Sequence, residues 1–259
     1  MHLARDGDDP LTDDALTSRF RLYQRKRGHR YSLDDVLTAR EALRAQPAAD
    51  RVLDLGCGIG SVLLMLAHAL PEAPLVGIEA QEGSFALAAR NVTRNGLEGR
   101  VRLVHGDLRD RACLASLGGG FGLITGTPPY APLGTATPSP DPQRAHARVE
   151  LRGGVEAYLE AAAPQLSPRG RVVVCADARR PERVRDVAPE FGLRPLRRLE
   201  CRPRAGRAPL FTVWTLGRLE EHSGFECETP EDFVARDEEG RRSDAYLGLR
   251  AFFGLPGRK

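Results

Sequence analysis

The sequence predicts an α/β fold, a mostly parallel seven-stranded sheet with helices on both faces. Two observations carry that expectation. From Arg51 onward, short apolar runs alternate with longer stretches rich in Leu and Ala, and Gly or Pro separates them. The chain has 259 residues, 41% hydrophobic and 28% charged, which suits one globular domain with a sizeable core.

Residues 1–18 are acidic and polar, with Asp6, Asp8, Asp9, Asp13 and Asp14, and are expected to be loose. No signal-peptide stretch and no membrane-length apolar run is visible, so a reducing cytoplasmic setting is expected. Residues 19–32 interleave Arg19, Arg21, Arg25, Lys26, Arg27, His29 and Arg30 with Phe20, Tyr23 and Tyr31. Such a stretch suits a phosphate-and-base surface, and equally a solvated arginine-rich face. Ser32 ahead of Asp34 and Asp35 is a helix start, and Val36, Leu37, Ala39, Ala42 and Leu43 give that helix an apolar face that ends before Pro47.

Arg51–Leu55 reads as the first strand of the sheet and 60–70 as its helix, broken by Pro71 and Pro74. Leu75–Glu79, Val101–His105 and Phe121–Gly126 are the next strands, with a helix through about Asn95 after the first of them. Residues 131–144 read as a loop and Glu150 to about Leu166 as a helix. Arg171–Ala176 is a fifth strand, Pro181 to Phe191 a further helix, and 193–200 with 210–216 a closing pair of strands. Residues 1–50 are expected to be an extension that forms part of the pocket, 51–217 the main domain, and 218–259 a small appendage or lid.

The formal net charge of +3 is a mild bias. Only Lys26 and Lys259 are lysines, so nearly every cation is an arginine, whose planar fork suits phosphate; a GC-rich genome enriches arginine as well. The five cysteines, Cys57, Cys113, Cys175, Cys201 and Cys227, are far apart, with no metal-ligand spacing and no disulfide framework. No metal is expected.

The chemistry starts at Asp54-Leu55-Gly56-Cys57-Gly58-Ile59-Gly60. Parallel sheets bind ligands beyond the carboxyl ends of their strands, and Gly56, Gly58 and Gly60 fall there after the first strand. The spacing departs from the dinucleotide fingerprint. S-adenosylmethionine carries no phosphate, and its ammonium favours a nearby acid. Asp54 serves it directly or by ordering the loop. Glu79, ending the second strand, can accept from both ribose hydroxyls, and Asp107, after the third, from the adenine amino group. Thr127-Pro128-Pro129-Tyr130 follows the fourth strand and faces the same crevice. The prolines stiffen the backbone and remove two donors, leaving carbonyls to accept from an incoming amino group. Tyr130 offers a stacking face. Acceptors at its hydrogens would draw an amine toward tetrahedral geometry for in-line transfer, without metal or covalent intermediate. Thr127, Pro128 and Tyr130 are therefore the catalytic candidates.

The region from about Phe20 to Gly217 resembles the bacterial enzymes that methylate N6 of adenine 37 in the valine tRNA, a branch of the class I methyltransferases. Gln24, Gly28, Arg30, Asp34 and Leu37 match that family's N-terminal wall, with His29 in its aromatic place. Ala147-Arg148 with Glu150, Gly170, and Arg204-Ala205-Gly206-Arg207 also look like it. The resemblance implies tRNA as acceptor, adenosylmethionine as cofactor, and Gln24, Arg30, Asp34 and Thr127 as further cofactor-pocket residues. RNA would be held by Arg19, Arg21, Arg25 and Arg27 on one flank and Arg197, Arg198, Arg202, Arg204 and Arg207 on the other.

Two departures accompany the resemblance. Thr127 stands where the family has Asn, and a hydroxyl is shorter and rotatable. The tail carries only a blurred form of the family's closing segment, near Thr229-Pro230-Glu231 and Ser243-Asp244-Ala245-Tyr246. Three alternatives follow: an acceptor such as a protein glutamine, a small-metabolite acceptor, or a binding module that has lost turnover. Enzymes resembling release-factor methyltransferases usually bear a helical domain ahead of the first strand, for which the residues before Arg51 leave little length.

Overall fold

The computed structural model describes residues 9–132, 134, 139–225, 227 and 229–256. Residues 1–8 of the terminus expected to be loose, and 133 and 135–138 of the expected loop, lie outside them. The chain opens with a two-stranded antiparallel hairpin, β1 (Leu11–Ala15) and β2 (Arg21–Arg25), where the sequence suggested a loose acidic end followed by a basic surface. Its apolar residues are few but well placed. Leu11 and Leu22 join the core, while Thr12, Asp13 and Asp14 are half-buried.

The order thereafter is α1 (Leu33–Ala45), β3 (Val52–Leu55), α2 (Ser61–Ala69), β4 (Leu75–Glu79), α3 (Glu82–Arg94), β5 (Val101–His105), α4 (Arg111–Ala115) and β6 (Phe121–Gly126). It continues α5 (Pro142–Arg148), α6 (Val155–Ala162), β7 (Leu166–Asp177), α7 (Glu182–Arg185), β8 (Leu193–Arg202), β9 (Phe211–Arg218), β10 (Glu231–Val234) and α8 (Asp244–Phe252). The main sheet runs β10-β8-β9-β7-β6-β3-β4-β5 and has eight strands, one more than expected. The additional strand comes from the tail: β10 pairs in parallel with β8, from Glu231 opposite Leu199 to Val234 opposite Arg202. Its signal is faint, since only Phe233 of its four residues is buried. All pairings are parallel except those of β9 with β7 and β8.

The period of two along the strands divides the interior. Val173 and Cys175 of β7, and Phe211 and Val213 of β9, pack on the face covered by α1, α2 and the hairpin. Val172, Val174, Trp214 and Leu216 pack on the other, with Leu159 of α6 and Val184 of α7. Both faces are thus buried, as a parallel sheet requires. α3 fixes the hairpin. Asn91 Oδ1 accepts from Tyr23 N at 2.6 Å, and Asn91 Nδ2 donates to the carbonyls of Tyr23 (3.0 Å) and Ile59 (2.9 Å). Asn95 repeats the pattern with the backbone of Arg21, at 2.9 and 2.8 Å. The two amides do for the outer edge of β2 what a neighbouring strand would do. Among the described residues, no helix is long and apolar enough to cross a membrane.

Candidate functional site

The main cavity of the candidate site, smaller than a second one beside α8, lies beyond the carboxyl ends of β3, β4, β5 and β6, where a doubly wound sheet binds its ligand. The turn after β3 is made by glycines at φ +60°, +56° and +88°, a region costly for other residues. Gly56 has a second constraint, because a Cβ there would lie 2.2 Å from the Tyr158 hydroxyl. Gly60 ends the turn as the residue before α2.

Gly56, Gly58, Glu79, Asp107 and Thr127 line this cavity. Glu79 ties the turn to β4: Gly58 N donates to Oε2 at 2.9 Å and Gln81 N to Oε1 at 2.6 Å. Burial raises the Glu79 pKa, and the Gln81 and Gly58 amides pull it back. Asp54 sits beneath the turn, 2% exposed, and accepts from Thr125 Oγ1 at 2.8 Å. Burial pushes its carboxyl up to about 7. Of the two roles expected for Asp54, this position matches ordering of the loop. Asp107 is engaged by Arg109, whose Nη2 lies 2.8 Å from Oδ2, with Arg152 at 3.6 Å; the Arg109 hydrogen bond lowers its pKa.

Gln24, Arg30 and Asp34 do not line the main cavity. Gln24 is 1% exposed; it donates to Asp14 Oδ2 at 2.9 Å and accepts from Tyr31 N at 3.2 Å. Arg30 donates to Asp14 Oδ2 and Thr12 Oγ1, each at 2.9 Å. Both hold the hairpin against the turn into α1, and both line a second cavity bounded by Tyr246 and Arg250 of α8. Asp34 accepts from the Tyr130 hydroxyl at 3.1 Å. Pro128 and Tyr130 line a third, small cleft with Glu150, Asp177 and Arg183. Burial first, then Asp34, drives the Tyr130 pKa upward, so the phenol keeps its proton.

Sequence reasoning missed Asp35, Gln143 and Tyr158 at the cavity wall. Asp35 is 6% exposed, and its carboxyl is pushed up to about 8, first by burial and then by Asp34. Thr127 Oγ1 lies 3.5 Å from Asp35 Oδ1. Gln143, on α5, accepts from His29 N at 3.1 Å and donates to Ser84 Oγ at 3.3 Å, joining the N-terminal wall to α3. The adjacent pair Asp34-Asp35 was a visible signal, but which acid faces inward is a matter of helix phase.

The arginines expected to face RNA are mostly spent within the molecule, which corrects that expectation. Arg25 pairs with Asp141 at 2.9 Å and Arg21 with Asp13 at 3.0 Å. Arg197 pairs with Glu41 and Glu231, Arg198 with Glu200 at 2.8 Å, and Arg202 with Glu200 and Asp232. Arg204 donates to the Glu238 carbonyl. Arg19, Arg27 and Arg207 are exposed. An arginine already paired offers phosphate little net charge.

A family model described as a methyltransferase domain matches residues 52–127, the stretch from the first strand of the main sheet to Thr127. A release factor glutamine methyltransferase of Geobacter sulfurreducens is 37% identical over 149 residues, covering 54% of this chain and 50% of that protein. The chain thus spans about half the length of that relative. A tRNA1(Val) (adenine(37)-N6)-methyltransferase of Bacteroides thetaiotaomicron is 29% identical over 192 residues, covering 74% of this chain and 78% of that protein. Among solved structures, one described as a predicted O-methyltransferase of Agrobacterium tumefaciens superimposes with a TM-score of 0.56 at 16% identity, over 88% of this chain and all of that one. At that identity the likeness speaks to the fold.

Proposed function

We propose that this chain transfers a methyl group from S-adenosylmethionine to an amino nitrogen, a reading supported by the match of residues 52–127 to a methyltransferase domain model and by the shared fold. The observation that carries the reading is the meeting, at one cavity, of the glycine turn after β3, Glu79 after β4, and Thr127 after β6. The residues fit the cofactor. A Cβ on Gly58 would meet no atom within 4 Å, so the turn borders open space. The acids Glu79 and Asp107 on the wall suit a cation with ribose hydroxyls. When bound, adenosylmethionine supplies an electrophilic methyl on a sulfonium.

The protein's part is placement. Glu79, braced by the Gly58 amide, would hold the ribose end. Thr127 would accept from the incoming amino group, and the stiff Pro128-Pro129 backbone would keep its neighbouring carbonyls in place. Tyr130, anchored to Asp34, would support the strip from behind.

The acceptor we favour is adenine N6 in tRNA. The tRNA-modifying relative is matched across 74% of this chain, well beyond residues 52–127. A protein glutamine amide is the second reading, favoured by the 37% identity to a glutamine methyltransferase. Incubation with methyl-labelled adenosylmethionine and either bulk unmodified tRNA or a protein extract decides between them. Label on tRNA supports the first reading, label on protein the second, and label on neither sinks both.

A further inference from the structure

Asp35 is placed where a first-turn acid seldom sits. Such acids normally face water near the helix N-terminus, yet Asp35 is buried and lines the main cavity. Its Oδ2 accepts from Ser32 N at 2.8 Å, closing the N-terminal box of α1. Its Oδ1 is directed to the Thr127 hydroxyl, 3.5 Å away. The groups facing it from the surrounding elements are acids or weak acids: Asp34 on α1, Asp54 on β3, Tyr130 after β6 and Cys175 on β7, with the Ser61 hydroxyl on α2. A buried carboxyl with acidic neighbours calls for a proton or a cationic ligand.

We propose that Asp35 takes up the proton shed by the acceptor nitrogen as it is methylated, with the Thr127 hydroxyl as the relay between them. The proposal rests on the N-methyl transfer reading above. The balance is simple. The nitrogen lone pair forms the new N–C bond, and the C–S electron pair of the sulfonium donor stays on sulfur. The nitrogen is left cationic with one hydrogen too many. It gives that proton to the Thr127 oxygen while the hydroxyl gives its own to the Asp35 carboxylate. An amide oxygen, expected at position 127 from the family resemblance, can accept a hydrogen bond but has no proton of its own to pass on. Thr127 and Asp35 therefore form a pair whose chemistry differs from that of a lone amide. A carboxyl held up near neutral pH is suited to the task.

The test uses the full chain and two near-isosteric variants, Asp35→Asn and Thr127→Val, each checked for a cooperative melt. Single-turnover transfer from labelled adenosylmethionine to bulk tRNA and to a protein extract is followed across neutral pH. Adenosylmethionine binding is measured by calorimetry. The expected wild-type rate rises with pH to a plateau, and both variants are about 100-fold slower with a flat profile, the scale of a lost acid–base group. Cofactor affinity should stay within about threefold, since the interaction lost belongs to the transition state. An Asp35→Asn variant that keeps the wild-type rate and slope overturns the proposal alone. So does a folded variant that no longer binds the cofactor, which would make Asp35 a cofactor ligand. A wild type that methylates neither acceptor overturns the methyl-transfer reading, and the proposal with it.

Discussion

At the scale of single residues, the proposed methyl transfer assigns cofactor binding to Glu79 and turnover to Thr127. Glu79 accepts from Gly58 and Gln81, so Glu79→Ala removes both the acid and the brace of the glycine turn. Hydrogen bonds to a charged group contribute about 1.5–3 kcal/mol, so adenosylmethionine affinity should fall about tenfold or more by calorimetry. An unchanged affinity in a folded variant would remove Glu79 from the cofactor site. Thr127→Ala should instead slow single-turnover transfer while leaving cofactor affinity nearly as it was, because it deletes an interaction realised in the transition state. A matching loss of affinity would argue against that role. The buried acids also set a pH dependence. Asp54 and Asp35 hold their protons up to about 7 and about 8, while an unfolded Asp loses its proton near pH 3.9. The folded state therefore binds more protons than the unfolded one across this window, and stability declines as pH rises through those two values. Burial of His29 and His68 acts in the opposite sense, but only below about pH 6.5, where unfolded histidine is charged. The ligand-free protein should melt at a lower temperature at about pH 8.5 than at about pH 7, and Asp35→Asn or Asp54→Asn should flatten the difference. A melting temperature that climbs over this range would mean that both carboxyls are ionised in the fold.

At the scale of elements, α3 holds the hairpin through Asn91 and Asn95. Asn91→Ala would strand the N–H and C=O of Tyr23 and the carbonyl of Ile59. Buried groups left without partners cost about 1–3 kcal/mol, so the denaturation midpoint should drop accordingly. An Asn91→Ala protein as stable as the parent would show that water replaces the amide at no cost. The same contacts explain what the sequence made legible. β4 and β6 begin and end where their apolar runs do, because strands buried on both faces are apolar nearly throughout. The hairpin was not legible. Its strands carry Asp13, Asp14, Arg21 and Arg25 beside one or two leucines, and its edge is completed by side chains from a helix distant in sequence. β10 escaped for a similar reason, being four residues long with one buried side chain. Within the site, the glycine turn, Glu79 and Thr127 were readable because each follows a strand that the pattern marks clearly. Asp35, Gln143 and Tyr158 were not, since their facing depends on how helices from other parts of the chain are rotated against the sheet.

At the scale of the whole molecule, the abundance of arginine does not translate into a free cationic surface. With most flanking arginines paired to Asp or Glu, tRNA should bind through few phosphates. The slope of log affinity against log salt should then be shallow, since each neutralised phosphate in a single strand contributes about 0.7 to it. A steep slope would mean that the intramolecular pairs open to receive RNA. The hairpin has a further consequence, which concerns where the molecule can be cut. The stretch matched as a methyltransferase domain, residues 52–127, excludes β1, β2 and α1. Yet Leu22, Leu37, Ala39 and Ala42 are buried in the same core as Val52 and Leu63, and Asn91 clasps β2 and the glycine turn with one amide. A truncation beginning at residue 51 would lay that apolar face bare and leave the amide holding the turn alone. The segment recognisable by its sequence is therefore smaller than the segment able to fold, and an expression fragment trimmed to the recognisable boundary would be expected to aggregate.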